Sequence, residues 1–289
     1  MRSLLLIAAV CVLLPACKTN PYTGRSQFLA LSSESDEIKA GISGYQQVLD
    51  EQPISTDADL NEPLKRVGTA IAKAADAWRA EQGEEPFQWE FHVIADDKTV
   101  NAWCMPGGKI AFYTGIYPIL VDENGMGIVM GHEVAHAMLR HGGERVSSQK
   151  FVTGGLAAAA IATRENENRG IIMGVLGGGA TFGYLLPYSR LHESEADMLG
   201  LQLAARAGYD PRAAIGVWER MAGLGGGDRP AEFFSTHPDP LNRIKEMQAQ
   251  MPQVLPTYER SKKMPNSKLP NALGRKAPRA RKPAKKKSK

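Results

Sequence analysis

With 289 residues and 43% hydrophobic content, the chain can bury one good core and at most a small second lobe. Of its three cysteines, Cys11 and Cys17 lie in the N-terminal segment, which leaves Cys104 alone in the body and excludes an intramolecular disulfide framework. The net charge of +4 is no property of the body: residues 260–289 carry 13 Lys and Arg and no acid, so residues 1–259 stand at −9.

The N-terminus, MRSLLLIAAVCVLLPAC, places a basic residue at Arg2 and an apolar run from Leu4 to Leu14 before small residues. That run is too short for a bilayer, which needs about 20 residues, and it fits a secretory signal over residues 1–16. Leu14-Pro15-Ala16-Cys17 resembles a bacterial lipoprotein box, so Cys17 is expected to carry lipid and hold the protein at a membrane. By the same resemblance Lys18, in place of an aspartate, favours the outer membrane on its periplasmic side. Residues 17–30 are then expected to be a tether ahead of a body spanning residues 31–252.

Along the body, residues 33–50 and 60–82 have helical spacing, with Ile38, Ile42 and Tyr45 in the first and Leu64, Val67, Ile71 and Ala74 in the second. FQWEFHVIA alternates, Trp89, Phe91 and Val93 against Glu90 and His92, which predicts a strand and makes His92 a surface imidazole. NAWCM, a Pro106-Gly107-Gly108 turn and KIAFYTG form a hairpin. From Tyr117 the pattern is helical to about Gln250. Asp122-Glu123-Asn124 caps a helix running through Met130, His136 and Arg140. Residues 151–163 and 170–186 are apolar, rich in glycine and alanine, and split by RENENR; they predict a buried or membrane-surface helical pair rather than membrane spans. The class is therefore α+β, mainly helical, with no internal repeat to signal a solenoid.

Residues 253–289 are expected to form a disordered polybasic tail. Such a tail solubilises the chain or adheres to anionic lipid head groups and other envelope polyanions. Without aromatic residues between its charges, it does not point to nucleic acid.

The chemistry concentrates in GHEVAHAMLRHGG, residues 131–143. On a helix His132 and His136 project from one face a turn apart and can grip one ion. Glu133 lies beside the first of them, where a general base toward water must sit. Val134 and Ala135 face the core. His141 is no third ligand: it falls one residue short of the extended metzincin spacing, and a continuing helix carries it about 140° round from His136. It reads instead as the end of that helix before Gly142-Gly143. SRLHESEAD, residues 189–197, is the better source. Glu193 and Asp197 share a face there, so one carboxylate can bind the ion while the other accepts the spare ring N–H of a ligating histidine. His192 points elsewhere on the same helix.

HEVAH followed about 60 residues on by Ser-Arg-x-x-Glu-x-x-Ala-Asp resembles the gluzincin metallopeptidases of the HtpX, BepA and CAAX-prenyl-protease type. The segments NPYTGRSQFLALSSESDE, NAWCMPGGKIAFYTG and STHPDPLNRI match as well, so the likeness spans roughly residues 20–250. It implies a zincin-like fold with a small sheet and hairpin before the active helix. It implies one Zn2+ per chain held by His132, His136 and Glu193, with Glu133 catalytic. The same resemblance gives His237 a role as a switch in the zinc's open position and places Arg243 near the substrate or transition-state oxygen. The expected activity is that of an endopeptidase clearing misfolded or unassembled envelope proteins, with a chaperone-like lipoprotein of latched zinc site as the alternative.

Overall fold

The computed structural model describes residues 17–30, 33–180, 186–224, 237 and 240–274. The signal segment 1–16 and residues 275–289 of the basic tail lie outside the described residues. Two short sheets and a majority of helix bear out the mainly helical α+β class. The chain divides into two compact units, one from the described parts of residues 1–37 and 139–192 and the other from those of 38–138 and 193–289.

The larger unit begins in helix α1 (Glu34–Glu51) and continues in α2 (Ala58–Glu81). Asp57 caps α2 by accepting from the Asp59 N–H at 3.0 Å. Leu60, Leu64, Val67, Ile71 and Ala75 recur at helical spacing and are all buried. The sheet that follows has the order β3-β5-β4, with β3 (Glu90–Ile94) parallel and β4 (Ala102–Met105) antiparallel to the central β5 (Lys109–Tyr113). Gly107 and Gly108 take φ of 86° and 81° in the β4–β5 turn, conformations that L side chains resist. Among the described residues β4 is left as an edge. His92 is not a surface imidazole: it is half-buried on β3 because Tyr45 of α1 packs against it, the hydroxyl 2.6 Å from Nδ1. Burial pulls its pKa down.

After β5 a 3-10 turn (Thr114–Ile116) and the short α3 (Tyr117–Leu120) lead into α4 (Glu123–Met138). The first N–H groups of a helix lack intrahelical partners. Here Asp122 Oδ1 accepts from Gly125 N at 3.0 Å, while the distant Ser267 carbonyl and Asn266 Oδ1 accept from Glu123 N and Asn124 N at 3.1 and 3.0 Å. α4 is buried on nearly every side. Helix α7 (Leu186–Ala207) crosses it at two glycines. A Cβ on Gly200 would fall 2.8 Å from the His132 backbone, and one on Gly131 would fall 2.6 Å from the Gly200 carbonyl oxygen. Helix α8 (Ala213–Gly223) and α9 (Pro240–Arg260) complete the unit.

Residues 253–274, assigned from composition to a disordered tail, are built into the fold. α9 runs to Arg260 with Val254 buried, and the chain beyond it is fastened by backbone bonds from Met264 N to the Gly208 carbonyl and from Leu269 N to the Val121 carbonyl, 3.0 and 2.9 Å. Gly274 N then donates to Asp97 at 2.8 Å. Local charge misled because these anchors are backbone groups.

The smaller unit corrects two further expectations. Residues 17–30 are not a free tether: β1 (Cys17–Thr19) and β2 (Ser26–Phe28) pair as an antiparallel hairpin, held by Arg25 and Gln27 against Glu144 at 2.7 and 2.8 Å. His141 does not end the helix that carries His132 and His136. α4 stops at Met138, Arg140 turns left-handed at φ 54° with its guanidinium 2.7 Å from Glu37, and His141 opens α5 (His141–Ala162). His192 is buried, 3.0 Å from Glu144 and stacked on His141 at 4.1 Å between ring centroids. Glu144, ringed by Arg25, Gln27 and His192, holds His192 inward, and His141 stacks on that ring. α6 (Arg169–Ala180) follows α5, and no described helix is long and apolar enough to cross a membrane.

The glycine crossing yields a test. Alanine ordinarily favours a helix over glycine by about 1 kcal/mol, but Gly200→Ala must push α7 off the His132 backbone. We expect it to destabilise the protein by about 1–3 kcal/mol in urea denaturation; a neutral or stabilising effect would contradict the tight crossing.

Candidate metal centre

Four donors converge in the larger unit. α4 supplies His132 and His136, α7 supplies Glu193, and His237 comes from the segment preceding α9. One ligand atom from each lies within 4.8 Å of all the others. The Nε2 atoms of His132 and His136 are 3.1 Å apart, and His132 Nε2 is 3.2 Å from His237 Nδ1. Glu193 stands 3.5 Å from both Nε2 atoms and 2.8 Å from His237 Nδ1. Tetrahedral zinc with bonds of about 2.0–2.1 Å spaces its ligand atoms by about 3.3–3.4 Å, so most of these separations already match the edges of such a site. A buried Glu193 Oε1 without a hydrogen-bond partner fits the same purpose.

The surroundings hold this cluster in one arrangement. His132 Nδ1 is 2.9 Å from Asp197 Oδ1, which turns Nε2 toward the other donors. Asp197 in turn accepts two bonds from Arg243, both 2.7 Å, and Arg243 Nη1 lies 3.1 Å from Glu193. The guanidinium sits 4.0 Å over the Trp218 ring, whose edge also meets His132 at 5.6 Å between centroids. Arg243 is therefore drawn into the carboxylate frame around the donors.

Burial sets the electrostatics. It would raise the Glu193 carboxyl, but His237 and hydrogen bonds from His132 and His237 pull it far below the usual carboxylate range. Burial would lower His132, yet Asp197 and Glu193 lift it to about 9 in the metal-free protein. Glu133 is raised by burial, only partly offset by His237 and His132; its Oε1 has no hydrogen-bond partner and lies 3.6 Å from His237 Nε2. Burial also pushes the nearby Cys104 thiol well up, which keeps it protonated and unfit as a rival nucleophile.

The structure thus brings His132, Glu133, His136, Glu193, Asp197, His237 and Arg243 into one cluster. Cys17 is exposed on β1, in the other unit. Sequence reasoning missed Trp218, Gly131 and Gly200. Trp218 shares helical spacing with Ala214, Val217 and Met221 and so reads as plain core. For the glycines the signal was present: Gly200 continues the Glu193–Asp197 face at i+7, and Gly131 adjoins the first histidine.

Comparison with known proteins agrees. The model of peptidase family M48 matches residues 59–251. The mitochondrial metalloendopeptidase OMA1 of Schizosaccharomyces pombe is 37% identical over 178 residues, 61% of this chain and 50% of that protein. Its Saccharomyces cerevisiae counterpart is 35% identical over 181 residues, 60% of this chain and 50% of that one. The β-barrel assembly-enhancing protease of Escherichia coli is 25% identical over 250 residues, 84% of this chain and 49% of its own length. The chain spans about half the length of these curated relatives. The donor set and the family agree on zinc as the cofactor. With the zinc-binding cluster falling inside a family match that covers most of its length, the chain belongs to peptidase family M48.

Proposed function

We propose that this chain is a zinc-dependent endopeptidase of the bacterial cell envelope that hydrolyses misfolded or unassembled proteins. The observation that carries the reading is Glu133, a buried carboxylate whose Oε1 has no hydrogen-bond partner and lies 3.6 Å from Nε2 of His237, one of the four donors. His132, His136 and Glu193 hold the metal in this reading. Zinc, when bound, supplies the positive charge that acidifies water and polarises a carbonyl. Glu133 takes the proton of the attacking water and passes it to the leaving amine. Asp197 fixes the His132 tautomer, and Arg243 orients Asp197 and Glu193 while its charge faces the developing oxyanion. An extended substrate adds to the β4 edge, which packs against α4, and backbone pairing of that kind tolerates many sequences. That tolerance suits clients recognised by being unfolded, and a relative named for β-barrel assembly supports outer-membrane proteins among them.

His237 acts as a latch in this reading. Its Nδ1 stands with the other three donors, and a catalytic zinc site needs its fourth position open. Lipid on Cys17 holds the chain at the outer membrane, and the basic residues beyond 274 adhere to anionic surface. The same closed donor set favours a second reading, a chaperone-like lipoprotein that holds clients and rarely cleaves.

Three outcomes test these assignments. Glu133→Gln should lower casein cleavage by about 10²-fold or more in kcat, the scale of a lost general base, while leaving zinc content by metal analysis at one per chain. His237→Ala should raise cleavage above wild type with zinc retained; equal absence of cleavage in both proteins would favour the chaperone reading. Because His132 sits at about 9 without metal, zinc must displace its proton at lower pH. Chelator competition should therefore show zinc affinity falling by up to about tenfold per unit as pH drops from 9 to 7, with proton release on binding.

A further inference from the structure

From Gln149 to Gly178 not one residue is buried, although the stretch contains Phe151, Val152, Leu156, Ile161, Ile171, Ile172, Val175 and Leu176. Ile161, Ile171 and Val175 are each about 70% exposed, at 69%, 70% and 69%. Added Cβ atoms at Gly154, Gly155, Gly170, Gly174, Gly177 and Gly178 would touch nothing within 4 Å. These glycines are therefore not spent on close packing in the fold. Soluble surfaces rarely leave so long an apolar stretch uncovered.

We propose that the α5–α6 hairpin lies on a phospholipid bilayer, its apolar surface in the interfacial region. Phe151–Ala162 and Gly170–Ala180 carry no charge, while Arg145 and Lys150 before them and Arg164 and Arg169 in the turn between them are exposed cations suited to anionic head groups. Each uncharged run of about 12 residues is roughly 18 Å long, short of the ~30 Å hydrocarbon core. An upright hairpin would drive Arg164, Glu165, Glu167 and Arg169 into acyl chains at high cost, so the hairpin lies flat with its turn among the head groups. The N-terminal hairpin favours a membrane over a protein as occupant. Cys17 is paired in register with Phe28, and the Phe28 ring meets Phe151 edge-on at 5.6 Å. An acyl chain on Cys17 is thus delivered to the compact unit that carries the apolar helices; this orientation rests on the anchoring proposed above.

Hydrogen exchange of the full-length protein with and without phosphatidylethanolamine–phosphatidylglycerol vesicles tests the contact directly. Amides of 151–162 and 169–180 should exchange at least about tenfold more slowly with vesicles, while those of α2 and α8 stay unchanged. The triple substitution Ile161→Asp, Ile171→Asp and Val175→Asp, at exposed positions, should abolish the slowing without altering the circular dichroism melt. Unchanged exchange of the hairpin in vesicle-bound protein would overturn the proposal. So would protection that appears without vesicles and grows with protein concentration, which would mark a second copy as the occupant. Mass spectrometry of Cys17 judges the anchor separately: an unacylated residue ends that reading, and the hairpin still stands or falls by its exchange.

Discussion

Everything at the metal centre depends on how closely α4 and α7 can approach. Two helices with ordinary side chains at the crossing keep their axes about 8–10 Å apart. At Gly131 and Gly200 there is no side chain, and backbone meets backbone. Glu193, Asp197 and Gly200 recur at i, i+4 and i+7, so the face that permits the contact is also the face that carries the carboxylates. The ion-binding group is a by-product of a packing solution: the glycines set the distance, and the side chains one and two turns away inherit it.

Charges this deeply buried must answer one another. Asp197 and Glu193 would be costly alone in an apolar interior. Arg243 meets both, and the Trp218 ring backs its guanidinium. Arg243 thus answers Asp197 from outside the donor set, while His237 and His132 hold Glu193 ionised. Glu133 is the exception. Burial raises it, only partly offset by the neighbouring cations, where Glu193 and Asp197 are held down. That environment suits the proton-accepting role proposed for Glu133.

How much of this could be read from residues alone follows from the range of the interaction. Strands β3 to β5, the β4–β5 turn and the HEVAH helix obey short periods and turn chemistry, and the sequence pattern places them within a few residues. Glu193 and Asp197 were legible because a helix repeats locally. Pairings across long stretches were not. Nothing near His192 announces Glu144, and nothing in SQF announces that Gln27 will bond the same carboxylate. Composition also misled where backbone groups do the holding, as in residues 261–274, whose lysines look like those of a free tail. His141 failed for another reason: the helix was assumed to continue, and Arg140 in a left-handed conformation breaks it.

That C-terminal strap separates two boundaries that composition merges. The basic run begins at Arg260, yet the described residues as far as Gly274 are bonded into the fold. Between them Ser267 and Asn266 supply acceptors for the first two N–H groups of the very helix that carries His132, Glu133 and His136. The far end of the chain therefore acts as a clasp on the start of the active helix. A cut at 260 would remove Asn266 and Ser267, open the clasp and loosen the helix that presents His132 and His136.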